Sequence, residues 1–91
     1  MGSISARKCA QVAEHVRIVL AIEALVAGQG LDLRAPLTPG IGVRAAHHAL
    51  REHVTTLVED RVLHHDIETA CALIDRGVLV AAAERAVGPL E

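Results

Sequence analysis

The sequence predicts an all-α fold, one long buried helix followed by about three shorter helices, and three observations lead there. Apolar residues recur at alternating three- and four-residue steps, the spacing that gathers them on one face of a helix. No proline occurs before Pro36, so nothing in the first third of the chain breaks a helix. Glycine and proline then punctuate the chain between Gly28 and Gly42, at Gly77 and at Gly88-Pro89, leaving segments of helical length between them.

The first element is expected from about Ser3 to Gly30, with Ser3 or Ser5 as its N-cap. Cys9, Val12, Val16, Val19, Glu23 and Val26 follow the spacing of a coiled-coil seam. Up to Arg17 the opposite face is polar, with Arg7, Lys8, Gln11 and Glu14. From Ile18 to Ala27 that polarity vanishes apart from Glu23, and a helix that is apolar on every side is one meant for burial. Three short helices cannot enclose it, so the chain is built for company. Leu31 to Gly42, with Pro36, Pro39, Gly40 and Gly42, reads as an extended loop. A second helix is expected from Val43 to Val58, with Val43, Ala46, Leu50, Val54 and Leu57 inward and Arg44, His48, Arg51, Glu52 and Thr55 outward. Glu59-Asp60-Arg61 follows as a local salt-bridge turn. Asp66 is the expected N-cap of a third helix to Asp75, whose inner face is Ile67, Ala70, Cys71 and Ile74. Gly77 ends it in a left-handed cap, and a last helix runs from Val78 to Val87. Residues 1–91 thus form a single helical segment: the long helix within 1–34, a loop at 35–42, and short helices over 43–91.

Composition excludes several functions. The 91 residues make one small domain at most. A net charge of −2 with scattered basic residues offers no cationic stripe for nucleic acid or an anionic membrane. Phe, Trp and Tyr are all absent, which removes the stacking platforms of single-strand binders and leaves a shallow aliphatic core. Yet 52% of the residues are hydrophobic, more than so small a core can use. The longest apolar run, Ile18 to Gly28, would extend about 16 Å as a helix, short of a bilayer. Cys9 and Cys71 lack CxxC spacing and read as reduced thiols, small buried hydrophobes in a cytoplasmic protein.

Chemistry-bearing residues are few. Among His15, His47, His48, His53, His64 and His65, no two stand four apart, the spacing that directs two imidazoles to one metal. His48 with Glu52 and His64 with Glu68 have that spacing, but one His–carboxylate pair is not a site. Glu23, a carboxylate on an apolar surface, must be paired, hydrogen-bonded or protonated. An ion pair with an arginine of another helix or subunit is the expected solution, since no base or nucleophile accompanies it. Gly28-Gln29-Gly30 follows a helix rather than a strand, so it is no phosphate loop, and no serine sits in a nucleophile elbow. The residues therefore assign no catalytic, cofactor-binding or metal-binding position.

Met1-Gly-Ser-Ile-Ser-Ala-Arg-Lys8, Val19-Leu-Ala-Ile-Glu-Ala-Leu25, Gln29-Gly-Leu-Asp-Leu-Arg34, Leu50-Arg-Glu-His-Val54, Glu59-Asp-Arg-Val-Leu63 and Asp66-Ile-Glu68 occur in that order. Together they resemble the carboxy-terminal segment of the aromatic amino acid ammonia-lyase superfamily, most closely its histidine ammonia-lyase branch. The Ser-Ala-Arg-Lys element is shared with phenylalanine ammonia-lyases. The resemblance implies part of a large helical bundle in a tetramer, hence lyase segments or further copies as partners. It explains an all-round apolar first helix and makes Glu23 a bundle ion pair. It also implies a methylidene-imidazolone electrophile formed from Ala-Ser-Gly, and catalytic tyrosines, and this chain has neither. The family's Gln-Glu-Asp-His-Val-Ser-Met-Gly segment would end at Met1-Gly2, leaving its functional carboxylate upstream. The expectation is a scaffolding segment of an enzyme converting L-histidine to urocanate and ammonia, inactive alone and with no cofactor of its own. The alternatives are a helical oligomerisation module and a remnant of a truncated lyase gene.

Overall fold

The computed structural model describes residues 2–90 and holds four helices. They are α1 (Gly2–Leu33), α2 (Ile41–Arg51), α3 (His64–Asp75) and α4 (Val78–Val87). The fold is all-α, with no strand among the described residues.

The chain forms two helix pairs: α1 packs on α3 and α2 on α4, with α3 and α4 meeting at the tight turn between them. Gly77 makes that turn. Its φ of +65° is the left-handed conformation that only glycine adopts without strain, and the sequence led to it. The result is a slab of 54 × 36 × 17 Å with a radius of gyration of 15.3 Å. A compact domain of this length would have a radius of about 12 Å. The excess comes from α1, whose 32 residues extend about 48 Å.

Two small clusters hold the slab. In one, Ala21 of α1 meets Ala70 and Cys71 of α3, flanked by Ile18, Leu25, Ile67 and Ile74. In the other, Leu50, Val54 and Leu73 are buried together, flanked by Leu25, Val78 and Leu79. Leu73 is 1% exposed and is the largest side chain buried so fully. The expected inner face of α3 is therefore present, and Leu73 extends it toward α2.

Several boundaries and roles differ from the sequence reading. α1 begins at Gly2, so Ser3 and Ser5 lie inside the helix rather than capping it. α2 starts two residues early and stops at Arg51, not Val58. Beyond it, Thr55 and Thr56 are β-branched and favour extended backbone, and side chains satisfy the backbone there in place of helical bonds. Gln29 brackets Leu57, its Nε2 donating to the carbonyl at 2.9 Å and its Oε1 accepting from the N–H at 3.1 Å. Arg51 donates to the Val54 carbonyl, and Arg61 to the Thr55 carbonyl and hydroxyl. Glu59-Asp60-Arg61 makes no internal salt bridge: Arg61 reaches forward to Asp66 at 2.8 Å. α3 starts at His64, which puts Asp66 in its first turn rather than at its cap. There a carboxylate still complements the positive end of the helix. Val43, expected inward, is exposed, and Cys9, expected buried, is exposed too. Cys71 is buried as read, and both thiols are free.

Candidate functional site

α1 carries two stripes. Ile18, Ala21, Leu25 and Gly28 face the rest of the chain, and Ala21 and Gly28 are buried there. The seam Cys9, Val12, Val16, Val19, Glu23 and Val26 falls on the opposite side, about 180° around the helix at ~100° per residue. Every member of that seam is exposed: Val12 60%, Val16 51%, Val19 51% and Val26 66%, together with Cys9 and Glu23. Leu20 and Ile22 border it and are exposed as well. The long helix expected to be buried thus lies half uncovered within this chain. Glu23 forms no ion pair among the described residues, so the arginine expected for it is not supplied by these helices.

Beside the seam lies an apolar groove of about 380 Å³, between the last turns of α1, the extended segment after α2, and the start of α3. Ile22, Leu25, Val26, Leu57, Leu63 and Ile67 line it, with almost no polar surface. Seam and groove make one continuous apolar surface, because Val26 belongs to both and Ile22 borders the seam.

Arg51, which lines the groove, belongs to a polar cluster that joins α2 to the end of α1. Asp32 accepts two hydrogen bonds from Arg51, at 2.6 and 2.9 Å, and one from the Thr56 hydroxyl at 3.2 Å. His47 Nε2, shielded from solvent, lies 3.1 Å from the other Asp32 oxygen without forming a hydrogen bond to it. Partial burial would raise the Asp32 carboxyl, but the Arg51 bonds and charge, aided by His47 and Thr56, hold it below the ordinary carboxylate range. Arg51, read as an outward residue, therefore ties α2 to the end of α1. Sequence reading missed this cluster. Its one visible signal was polar Gln29 and Asp32, three apart, at the end of an otherwise apolar helix.

A second ion pair fastens the other end. Arg17 binds Asp75 through Nε and Nη2 at 2.6–3.0 Å and Glu14 through Nη1 at 3.0 Å. The bonds from Arg17 hold the Asp75 carboxyl below its ordinary value, and Asp75 holds the guanidinium above its own. His48–Glu52 and His64–Glu68 both form, each exposed and each a pair of two groups only. Among the described residues these polar groups fasten helices to one another, and the largest open surface beside them is apolar.

The comparisons with known proteins agree with the order of motifs. A family model described as aromatic amino acid lyase matches residues 1–52. The histidine ammonia-lyase of Sorangium cellulosum is 60% identical over 90 residues, 99% of this chain and 18% of that protein. Those of Symbiobacterium thermophilum and Gloeobacter violaceus are 50% and 42% identical, each over all of this chain and 18% of the relative. No solved structure matches. The chain spans less than a fifth of the length of these relatives, with the match running through all four helices and the connections between them. It belongs to the aromatic amino acid lyase family.

Proposed function

We propose that this chain is a scaffolding segment of a histidine ammonia-lyase, supplying helices but no catalytic residue to an assembly that converts L-histidine to urocanate and ammonia. The observation carrying the reading is the agreement between partial coverage and incomplete packing. The relatives are histidine ammonia-lyases of which the chain covers 18%, and the chain leaves one whole side of α1 uncovered. Association with the rest of such an enzyme would cover the seam and groove and remove apolar surface from water.

The electrophile of the reaction would come from elsewhere in the assembly. Self-cyclisation needs Ala-Ser-Gly, and the two serines of this chain, Ser3 and Ser5, are followed by Ile4 and Ala6. No tyrosine is available as base. The reading takes the assembly to be cytoplasmic, which the two free thiols support.

Complementation tests this. The Sorangium cellulosum lyase is expressed without the stretch matching this chain, and the purified chain is added. Urocanate formation, followed by ultraviolet absorbance, should need both pieces. Turnover by the chain alone, or no turnover with both present, would overturn the reading. The same assay run with L-phenylalanine and L-tyrosine separates the histidine branch from its relatives.

A further inference from the structure

We infer that residues 55–62 form a strap that swings off the apolar groove as one unit while the four helices stay folded, with Gln29 as its latch. This concerns how one wall of the groove is held, and it does not depend on the lyase reading.

The strap has no backbone ladder. Among the described residues, none from Thr55 to Val62 takes part in a backbone–backbone hydrogen bond, while helices with their own ladders stand on either side. Apolar burial does little to hold it, because Val58 is 87% exposed and Val62 72%. Thr55, Leu57 and Arg61 nevertheless line the groove, so the strap is one of its walls. Both ends are fixed. Val54 is buried with Leu50 and Leu73, and the Leu63 carbonyl accepts from the Ile67 N–H in the first turn of α3.

Between those ends the hydrogen bonds divide into two sets. One set ties the strap to itself and to its hinge. Arg61 donates to the carbonyl and hydroxyl of Thr55, near the opposite end, and to Asp66 just beyond the strap. A loop braced by its own side chains keeps its shape and moves as a piece. The other set fastens the strap to α1. Gln29 brackets the Leu57 backbone with two bonds, and the Thr56 hydroxyl donates to Asp32. Only these three side-chain bonds to α1 must break for the strap to leave, and none belongs to a helix ladder. Local opening costs only the contacts it breaks, and each of these bonds is exchanged for one to water. Separating either helix pair would expose Ala21, Leu50 and Leu73 as well, so the strap opens first. Gln29 is the latch because it grips both polar groups of Leu57, the strap residue that puts the most apolar surface against the groove. An open strap carries that wall away, and a closed one restores it.

Native-state proteolysis reads the opening. Endoproteinase Glu-C cuts after glutamate; Glu59 lies mid-strap, while Glu23, Glu68 and Glu84 lie in helices. In the unmodified chain the cut after Glu59 should outpace the helical cuts at least about tenfold. Gln29→Ala should speed the Glu59 cut about tenfold further, the helical cuts changing less than about twofold and the far-ultraviolet circular dichroism not at all. Gln29→Glu keeps the shape and the acceptor but loses the N–H that binds the Leu57 carbonyl. It should release the strap as well, whereas a packing role for position 29 would leave the rate unchanged. Amide exchange by NMR makes the comparison without any substitution: the Leu57 N–H should exchange while those of Leu50 and Leu73 stay protected. Leu57 exchanging in step with Leu50 and Leu73 would overturn the inference. So would a Glu59 cut insensitive to both substitutions, or cuts at all four sites speeded alike. Neither measurement involves urocanate, so the strap and the lyase reading can fail separately.

Discussion

The two sides of α1 are built from the same aliphatic residues and meet different fates. The inner side, Ile18-Ala21-Leu25-Gly28, alternates bulky with very small residues and ends in Asp32. Its small positions let α2 and α3 approach closely, and its carboxylate receives an arginine from α2. The outer side carries valine at Val12, Val16, Val19 and Val26, of one size and interrupted only by Glu23. Periodicity marks both sides as apolar faces. What separates them is the small residues and the well-placed charge, which fit the inner face to the short helices of its own chain.

If that contrast is right, the inner contacts should hold most of the stability. The largest effect is expected at Leu73, which joins α3 to Leu50, Val54 and Leu25. Leu73→Ala should cost about 3 kcal/mol in denaturant unfolding, the sum of lost transfer energy and an incompletely collapsed cavity. A loss below about 1 kcal/mol would mean that the two clusters do not hold the slab together.

Asp32 comes next. Asp32→Asn keeps the shape of the side chain but removes the charge that Arg51 binds, at a cost of about 2 kcal/mol near neutral pH. The sign with pH follows from its depressed carboxyl. The contribution is present above the unfolded value of about 3.9, and is lost as pH falls through the lower folded value. Unfolding of the unmodified chain should therefore steepen below about pH 4, and Asp32→Asn should flatten that part of the curve. Parallel curves for the two proteins would show that Asp32 contributes little.

This cluster also marks where sequence reading stopped. The helices themselves were legible, because a 3.6-residue period, prolines and glycines are local signals. α4 and the left-handed Gly77 match to the residue. The end of α2 was not, because it depends on Gln29, 28 residues away, holding the Leu57 backbone. Arg61 looked local for the same reason, although its carboxylate partner is Asp66, across a boundary that no period marks. Membership in the lyase family was legible from the order of short motifs along the whole chain. No single residue carried it.

Two glycines on opposite sides of α1 give the smallest and most direct test of the contrast. Alanine at either gains about 1 kcal/mol in helix propensity. At Gly28, on the inner side, a Cβ would come within 2.9 Å of Leu50 Cδ2 and 3.3 Å of Arg51 Nη2. Leu50 is 2% exposed and fixed in the core, so it cannot swing aside freely. Overpacking of this kind costs about 1–3 kcal/mol, enough to outweigh the propensity gain. Gly28→Ala should therefore destabilise by about 1 kcal/mol. At Gly30, a Cβ would meet nothing within 4 Å. Gly30→Ala should stabilise by roughly 0.5–1 kcal/mol, through propensity and a less disordered unfolded chain. Opposite signs for the same substitution, two residues apart on one helix, can arise only if that helix is packed on one side and open on the other. Equal signs would mean that the open side is already occupied or that the packed side is loose.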